Sequence, residues 1–496
     1  MKQSTSLRLL ETYWWVIIGI AVIATYVSIM WLASGQNIWF DEGYSILLAK
    51  KSIHDLLALT AVDAHPPFYY LLLKGWGGIF GWSEFALRSL SAIIAAGSVG
   101  IMVVLVRKIF TLKVGLMTIP FIMLAPFFLR YGYEIRMYAL VGLIVTSATL
   151  VLVKAVETNR RKYWIIYALL VTLGMYTLYM SAVVWLAHLV WLIVMAVKQK
   201  QPLIKQPWVK AYAAAVILFV PYMPTFIHQL THSALPGIGN VLTIDGLSGV
   251  LGLMMTYIPS WQIGGILSLA LLLIVGLGIY LTIHILRKLQ LTDRRWLYLM
   301  LACFFIPLMF YTAVSLLPKP FFIPRYLAHI VLFFYVLIGI ITALGFKYGR
   351  KKTSVVFGGV SLVLLILGVF QLHSTGNLNF ERMQLPKTAD IRQLVTCSQS
   401  SVIVADDPYT YIDSVYYYNG CDLRFYSKNN VDFSGGYAPL HDSNLRVSDS
   451  TTFTNPTLYV LHWTGSTQSY TPPPHYALTA TTTIEKQVVD RYQLTP

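Results

Sequence analysis

The chain has 496 residues, 12% of them charged, with a mean hydropathy of +0.63. Soluble chains carry about 25% charged residues, so an ordinary soluble protein is excluded. The net charge of +16 invites a nucleic-acid reading, but 21 of the 37 Lys and Arg sit in short segments on alternate sides of apolar runs. That is the positive-inside pattern, which orients membrane helices and requires no nucleic-acid partner.

Apolar runs able to cross a hydrocarbon core of about 30 Å recur through residue 372 and predict about 11 spans. They lie near 13–33, 86–106, 114–129, 137–155, 163–178, 180–197, 209–228, 263–286, 296–317, 325–346 and 353–372. The first is long and has no clear small-residue cleavage site after it, so it reads as a retained span. Basic clusters mark every second connection, from Arg107, Lys108 and Lys113 to Lys347, Arg350, Lys351 and Lys352. The uncharged stretch from Tyr163 to Val197 is either one very long helix or two short ones bent near Met175–Ser181.

This pattern predicts a polytopic α-helical membrane protein with a small C-terminal extracytoplasmic α/β domain. An odd number of spans puts the N-terminus in the cytoplasm and residues 373–496 outside, in a multi-pass protein of the cell membrane. Residues 1–372 form the transmembrane domain, carrying a first extracytoplasmic loop at 34–85. In the tail, which holds 11 of the 21 acids, SVIVA (401–405), LRFYS (423–427) and TLYVLHW (457–463) read as strands. TADIRQLVT (388–396) and YTYIDSVYYY read as helices. Cys397 and Cys421 both fall there, either as a disulfide or as two free thiols.

The first loop gathers Asp41, Glu42, Asp55, Asp63 and His65. Ser52-Ile53-His54-Asp55 resembles a capping box opening an interfacial helix, and Pro66-Pro67 suits the start of another. Asp41 reads either as a helix N-cap or as a general base at the lipid boundary. Glu42, one residue on, points roughly 100° away. Asp63 and His65, with Asp41 or Glu42, offer ligands for a divalent cation, or else they cap the helix after Pro67. His65 equally suits an anionic phosphate.

Beyond the third span, LRYGYEIRMY (129–138) sets Arg130 and Arg136 among Tyr131, Tyr133 and Tyr138. The reading is either an interfacial belt with snorkelling arginines or a phosphate site. Lys319 and Arg325 repeat the pattern, and Lys74 and Arg88 are further candidates.

FDEGY, DAHPPFYYLLLKGWGGIFGWSEFALRSLSAI and YEIRMYAL together resemble the polyprenyl-phosphate-sugar-dependent glycosyltransferases of the C superfamily. The similarity is to the branch of the protein O-mannosyltransferases and aminoarabinose transferases. It implies Asp41 as the catalytic aspartate of the first loop, the general base, with Glu42 its neighbour. His65 and Tyr69 fall in the second motif, and Arg130, Arg136 and Arg325 fall where members contact lipid phosphate. Lys74, Tyr131 and Tyr138 complete the expected substrate-binding set. The resemblance implies inverting transfer of a sugar from a polyprenyl-phosphate donor, in the bilayer, to a protein, lipid or glycan acceptor outside. A rival reading, a transporter or flippase of a lipid-linked substrate, lacks buried carboxylates in the spans to couple ion movement.

Overall fold

The computed structural model describes residues 5–34, 36–232, 244–258, 264–316, 322–375, 392–428, 437–440, 443–464, 470–484 and 487–495. Among the described residues, eight helices are long and apolar enough to cross a bilayer. They are α1 (Thr5–Ala33), α5 (Glu84–Ile109), α8 (Tyr138–Thr158), α10 (Ser181–Lys198), the continuous pair α11 and α12 (Pro207–Phe219 and Met223–His232), α14 (Gly265–Lys288), α15 (Leu291–Ser315) and α17 (Lys351–Thr375). The pair α6 (Leu112–Met123) and α7 (Pro126–Tyr133) adds a ninth if it counts as one span. Every run expected to span overlaps a helix, including α9 (Arg161–Thr177) and α16 (Val331–Lys347), each 17 residues long. The uncharged stretch resolves into two helices, broken at Leu178–Met180.

One span departs from expectation. The run 114–129 reads as straight, but the chain bends by 68° between α6 and α7. Pro126 is the cause: it opens α7 and disfavours helical backbone at Ala125, which is extended at φ −80°, ψ 96°. Residues 129–133, expected in a loop, are therefore helical and buried.

The chain divides into two compact units. Unit 1 comprises 1–32, 88–224 and 235–376. Among its long helices the most enclosed is α16, almost wholly buried, which packs on α6 and α17. Gly339 permits the closest approach, since a Cβ there would meet Thr118 Cα of α6 at 2.7 Å. Without a hydrophobic driving force in lipid, such small-residue contacts are what let helices pack.

Unit 2 comprises 33–87, 225–234 and 377–496, so the first loop and the C-terminal tail fold together. From the loop come α2 (Phe40–Lys50), α3 (Ile53–Val62) and α4 (Phe68–Phe80). Ser52 caps α3, its hydroxyl accepting from Asp55 N–H and donating to the Asp55 carboxylate. Gln229 of α12 donates from its amide to Thr60 O near the other end of α3.

The tail supplies β1 (Ser401–Ala405), α18 (Pro408–Ser414), β2 (Leu423–Tyr426), β3 (Arg446–Val447), β4 (Thr457–Trp463), β5 (Tyr476–Ile484) and β6 (Gln487–Leu494). The sheet order is β3-β2-β1-β4-β6-β5, parallel through β4 and antiparallel at β6 and β5. Central β1 is buried throughout, as an unbroken apolar run in a parallel sheet should be. Val402, Val404, Leu458 and Val460 pack one face with Tyr426 and Tyr470, and α18 packs against β1, β2 and β4. The three expected strands are present, whereas β3, β5 and β6 were not read from sequence. Cys397 and Cys421 are joined by a disulfide, with Cα atoms 5.4 Å apart. Part of the helix expected over 388–396 lies outside the described residues, as does Lys319.

Candidate active site

In unit 2 the site is built on the first turn of α2. The N-cap is Trp39, with extended backbone and no side-chain capping bond, so Asp41 and Glu42 lie inside the first turn. Asp41 is therefore not the N-cap, which corrects one of its two sequence readings. Both acids still sit where the positive end of the helix dipole favours negative charge. Asp41 is 8% exposed and Glu42 is fully buried.

One turn further, Tyr44 donates its hydroxyl to Asp63 Oδ2 at 2.6 Å. His65 Nδ1 lies 3.8 Å from the same oxygen, so Asp63 joins a tyrosine of α2 to the histidine of the DAHPP segment. Asp63 is the C-cap of α3, and α4 has Pro67 as an N-cap with no side-chain capping bond. Neither Asp63 nor His65 caps α4, contrary to the second of their sequence readings. Tyr69 is buried edge-on against Tyr70, which in turn meets Tyr44 edge-on. Lys74, expected to bind substrate, directs its ammonium to the carbonyl oxygens of Lys51 (2.6 Å) and Ala49 (3.4 Å) at the C-terminal end of α2. Among the described residues, no group of three or more His, Cys, Asp or Glu is arranged to hold a metal ion. Asp63, His65 and the α2 acids thus do not form the cation site their sequence allowed.

The remaining candidates belong to unit 1. Arg130 of α7 meets Glu134 with Nη1 3.0 Å from Oε2, both side chains buried. The rings of Tyr131 and Tyr133 lie 5.2 Å from its guanidinium, and Arg88 lies over Tyr133 at 5.8 Å. Ser91 donates to Glu134 O, and Arg136 N–H donates to the same oxygen, folding the chain tightly between α7 and α8. Arg136 is 5% exposed. Burial of Arg130 and Arg136 removes the snorkelling reading for both. Tyr131 and Tyr138 stand edge-to-face and share the wall of a small pocket with Phe128, Leu332 and His329. Arg325 lies in the 3-10 turn Pro324–Leu327 that leads into α16.

Sequence reading missed the roles of Glu134, Tyr44 and His329. Glu134 carried a usable signal, four residues from Arg130, but only to a reader who placed both on one helical turn. Tyr44 carried none, because its partner Asp63 lies 19 residues away, and His329 none, because the pocket it lines is formed largely by α7 and α8.

A family profile described as dolichyl-phosphate-mannose-protein mannosyltransferase matches residues 64–228. Across 97% of this chain and 98% of the other, the fold is similar to ArnT from Cupriavidus metallidurans bound to undecaprenyl phosphate, with a TM-score of 0.61 at 12% identity. The chain has the ArnT fold, and its residues 64–228 match the mannosyltransferase profile. The apo form of the same ArnT gives a TM-score of 0.61 at 11% identity, with the same shares of both chains covered. An Archaeoglobus fulgidus oligosaccharyltransferase tethered to an acceptor peptide is more distant, with a TM-score of 0.46, 11% identity, and 92% of this chain and 69% of that one covered. No curated protein sequence matches. The C-superfamily resemblance and the polytopic helical fold with its small C-terminal sheet domain stand on these findings.

Proposed function

We propose that the chain is an integral-membrane glycosyltransferase that moves a sugar from a polyprenyl-phosphate donor to a protein, lipid or glycan acceptor on the extracytoplasmic side. The observation that carries this reading is Asp41, a nearly buried carboxylate in the first turn of α2, in a chain with the C-superfamily fold. The family profile matched at 64–228 supports the donor class, as does the undecaprenyl phosphate bound by ArnT.

In the proposed reaction Asp41 takes the proton of the acceptor hydroxyl. That oxygen forms a bond to the anomeric carbon as the bond from this carbon to the phosphate oxygen breaks, inverting the configuration. Polyprenyl phosphate leaves with the bonding electron pair and one more negative charge. Guanidinium groups held in place beforehand stabilise such charge at no reorganisation cost. That role is assigned to Arg136 and Arg325, with Arg130 contributing through its pair with Glu134. Tyr69, Tyr131, Tyr138, Lys74 and His65 are assigned to shaping and lining the substrate sites. Residues 373–496 and the Asp41 loop are assigned to the outer side of the cell membrane, with the N-terminus inside.

The test is sugar transfer by the purified chain from a polyprenyl-phosphate donor. Transfer that Asp41→Asn abolishes supports the reading. Donor movement across liposomes without transfer would replace it with the flippase.

A further inference from the structure

Resting on the reading of Asp41 as the base, we propose that Tyr409 and Tyr417 of the C-terminal segment are positioning residues for that carboxylate. The helix that carries Asp41 does not fix its own start. Its N-cap, Trp39, makes no side-chain capping bond, so the entering backbone needs restraint from elsewhere.

The tail supplies it at three points around Asp41. Ile38 N–H donates to the Tyr417 hydroxyl, across 379 residues of sequence. The Phe40 ring stacks on Tyr409 with centroids 4.4 Å apart and planes 7° from parallel, and Tyr437 closes on it edge-on at 5.5 Å. Gly43, two residues beyond Asp41, lies against α18 so closely that a Cβ there would run into the Ile412 carbonyl oxygen. Residues 38, 40 and 43 are thus each held by the tail, and the carboxylate at 41 lies between them.

A helix gripped on both sides of one residue has little freedom to rotate or slide that residue. For a general base this matters, because reach to the acceptor proton is a matter of tenths of an ångström. The tail is then part of the catalytic apparatus without touching substrate. Its sheet anchors α18, and α18 anchors α2.

The experiment uses the full chain in detergent or nanodiscs with a polyprenyl-phosphate sugar. Tyr409→Ala should lower kcat about ten- to a hundredfold, as ångström-scale misplacement does, and leave the donor KM and the melting temperature near their starting values. Tyr409→Phe keeps the stacked ring and should restore kcat. In an Asp41→Asn background, Tyr409→Ala should cost nothing further. Equal losses in both backgrounds, with a lowered melting temperature, would mean a structural role only and overturn the proposal.

A second measurement does not depend on what Asp41 does. In a Cys303→Ala background, an Asp41→Cys variant is modified with a thiol reagent. Adding Tyr409→Ala or Tyr417→Phe should speed modification severalfold, whereas Tyr409→Phe should not. Unchanged rates overturn the proposal. Normal turnover by Asp41→Asn would instead remove the base reading, and the thiol rates would still decide whether the tail holds residue 41.

Discussion

Arg130 and Glu134 face each other across one turn at the end of α7, Nη1 to Oε2 at 3.0 Å, both side chains buried. Both charges are buried, so removing either weakens the compensation of the other. Arg130→Ala should therefore destabilise the protein, by up to about 3–5 kcal/mol. Arg136→Ala and Arg325→Ala should act differently, weakening donor use by about 1.5–3 kcal/mol, or roughly ten- to a hundredfold, with Lys a poor substitute. Melting temperature and donor KM, measured side by side, separate the two outcomes. Three alanine variants with unchanged donor kinetics would make these arginines structural.

Asp41 and Glu42 share the first turn of α2, and their replacements should diverge. Asp41→Asn keeps the shape and the hydrogen-bonding oxygen while weakening a favourable dipole interaction of about 0.3–1 kcal/mol, so folding should persist. Its turnover should fall about 10²–10⁴-fold, as expected when a general base is lost. Glu42→Gln should be milder, because its side chain points away from that of Asp41. Transfer by folded, purified variants decides the matter, and near-normal turnover by Asp41→Asn would move the search for a base to Glu42 or Asp63.

Topology can be read with two cysteines. The His54 side chain is 91% exposed on α3, and Thr482 is exposed on β5. In intact cells an impermeant thiol reagent should label both the His54→Cys and the Thr482→Cys variants. Labelling of only one would break the proposed orientation.

The bond between Cys397 and Cys421 closes a loop with a sequence separation of 24. On the chain-entropy view a loop of that size contributes about 3–4 kcal/mol. Reduction, or Cys397→Ser with Cys421→Ser, should lower the melting temperature and slow gel migration of the denatured tail. Equal mobility with and without reductant, together with two alkylatable thiols, would show that the bond does not form in cells.

Tyr426 donates to Asp449 Oδ1 at 2.6 Å. Keeping the proton in this bond beside a carboxylate, with burial adding to the effect, pushes the phenol up to about 12. An unfolded tyrosine ionises near pH 10, so the folded state holds this proton more tightly. The stability that results is fully present below about pH 10 and is lost as pH rises from about 10 to about 12. Melting curves across that window should fall more steeply for the native chain than for Tyr426→Phe. Parallel curves would show that the bond contributes nothing to the pH dependence.

The helices were legible because hydropathy and alternating basic turns are local signals; Arg107–Lys113 and Lys347–Lys352 each mark a turn without reference to the rest of the chain. The bend before Pro126 was legible in principle, and it went unread because the apolar run continues through it. Strands such as SVIVA announced themselves, whereas YALTATTTI gave no clear alternation and its role emerges only beside β6. At the site, sequence found Asp41 and Asp63 but neither the Tyr44 hydroxyl on Asp63 nor the Tyr417 hydroxyl on Ile38. Those bonds span 19 and 379 residues, and no periodicity encodes them.

The separation between Ile38 and Tyr417 also sets an order of events during biosynthesis. At about 5–20 residues per second, the 379 residues between them take roughly 20–75 s to emerge from the ribosome. Through that interval the Asp41 loop is already made, and the surface it packs on does not yet exist. Helices α1 and α5 can enter the bilayer meanwhile, since each carries its own apolar run. The loop between them can pack α2, α3 and α4 on one another, but its contacts with the tail must wait. Misfolding variants should therefore cluster in 34–85 and in the tail, and a message truncated ahead of codon 417 should yield an inserted protein that never acquires activity.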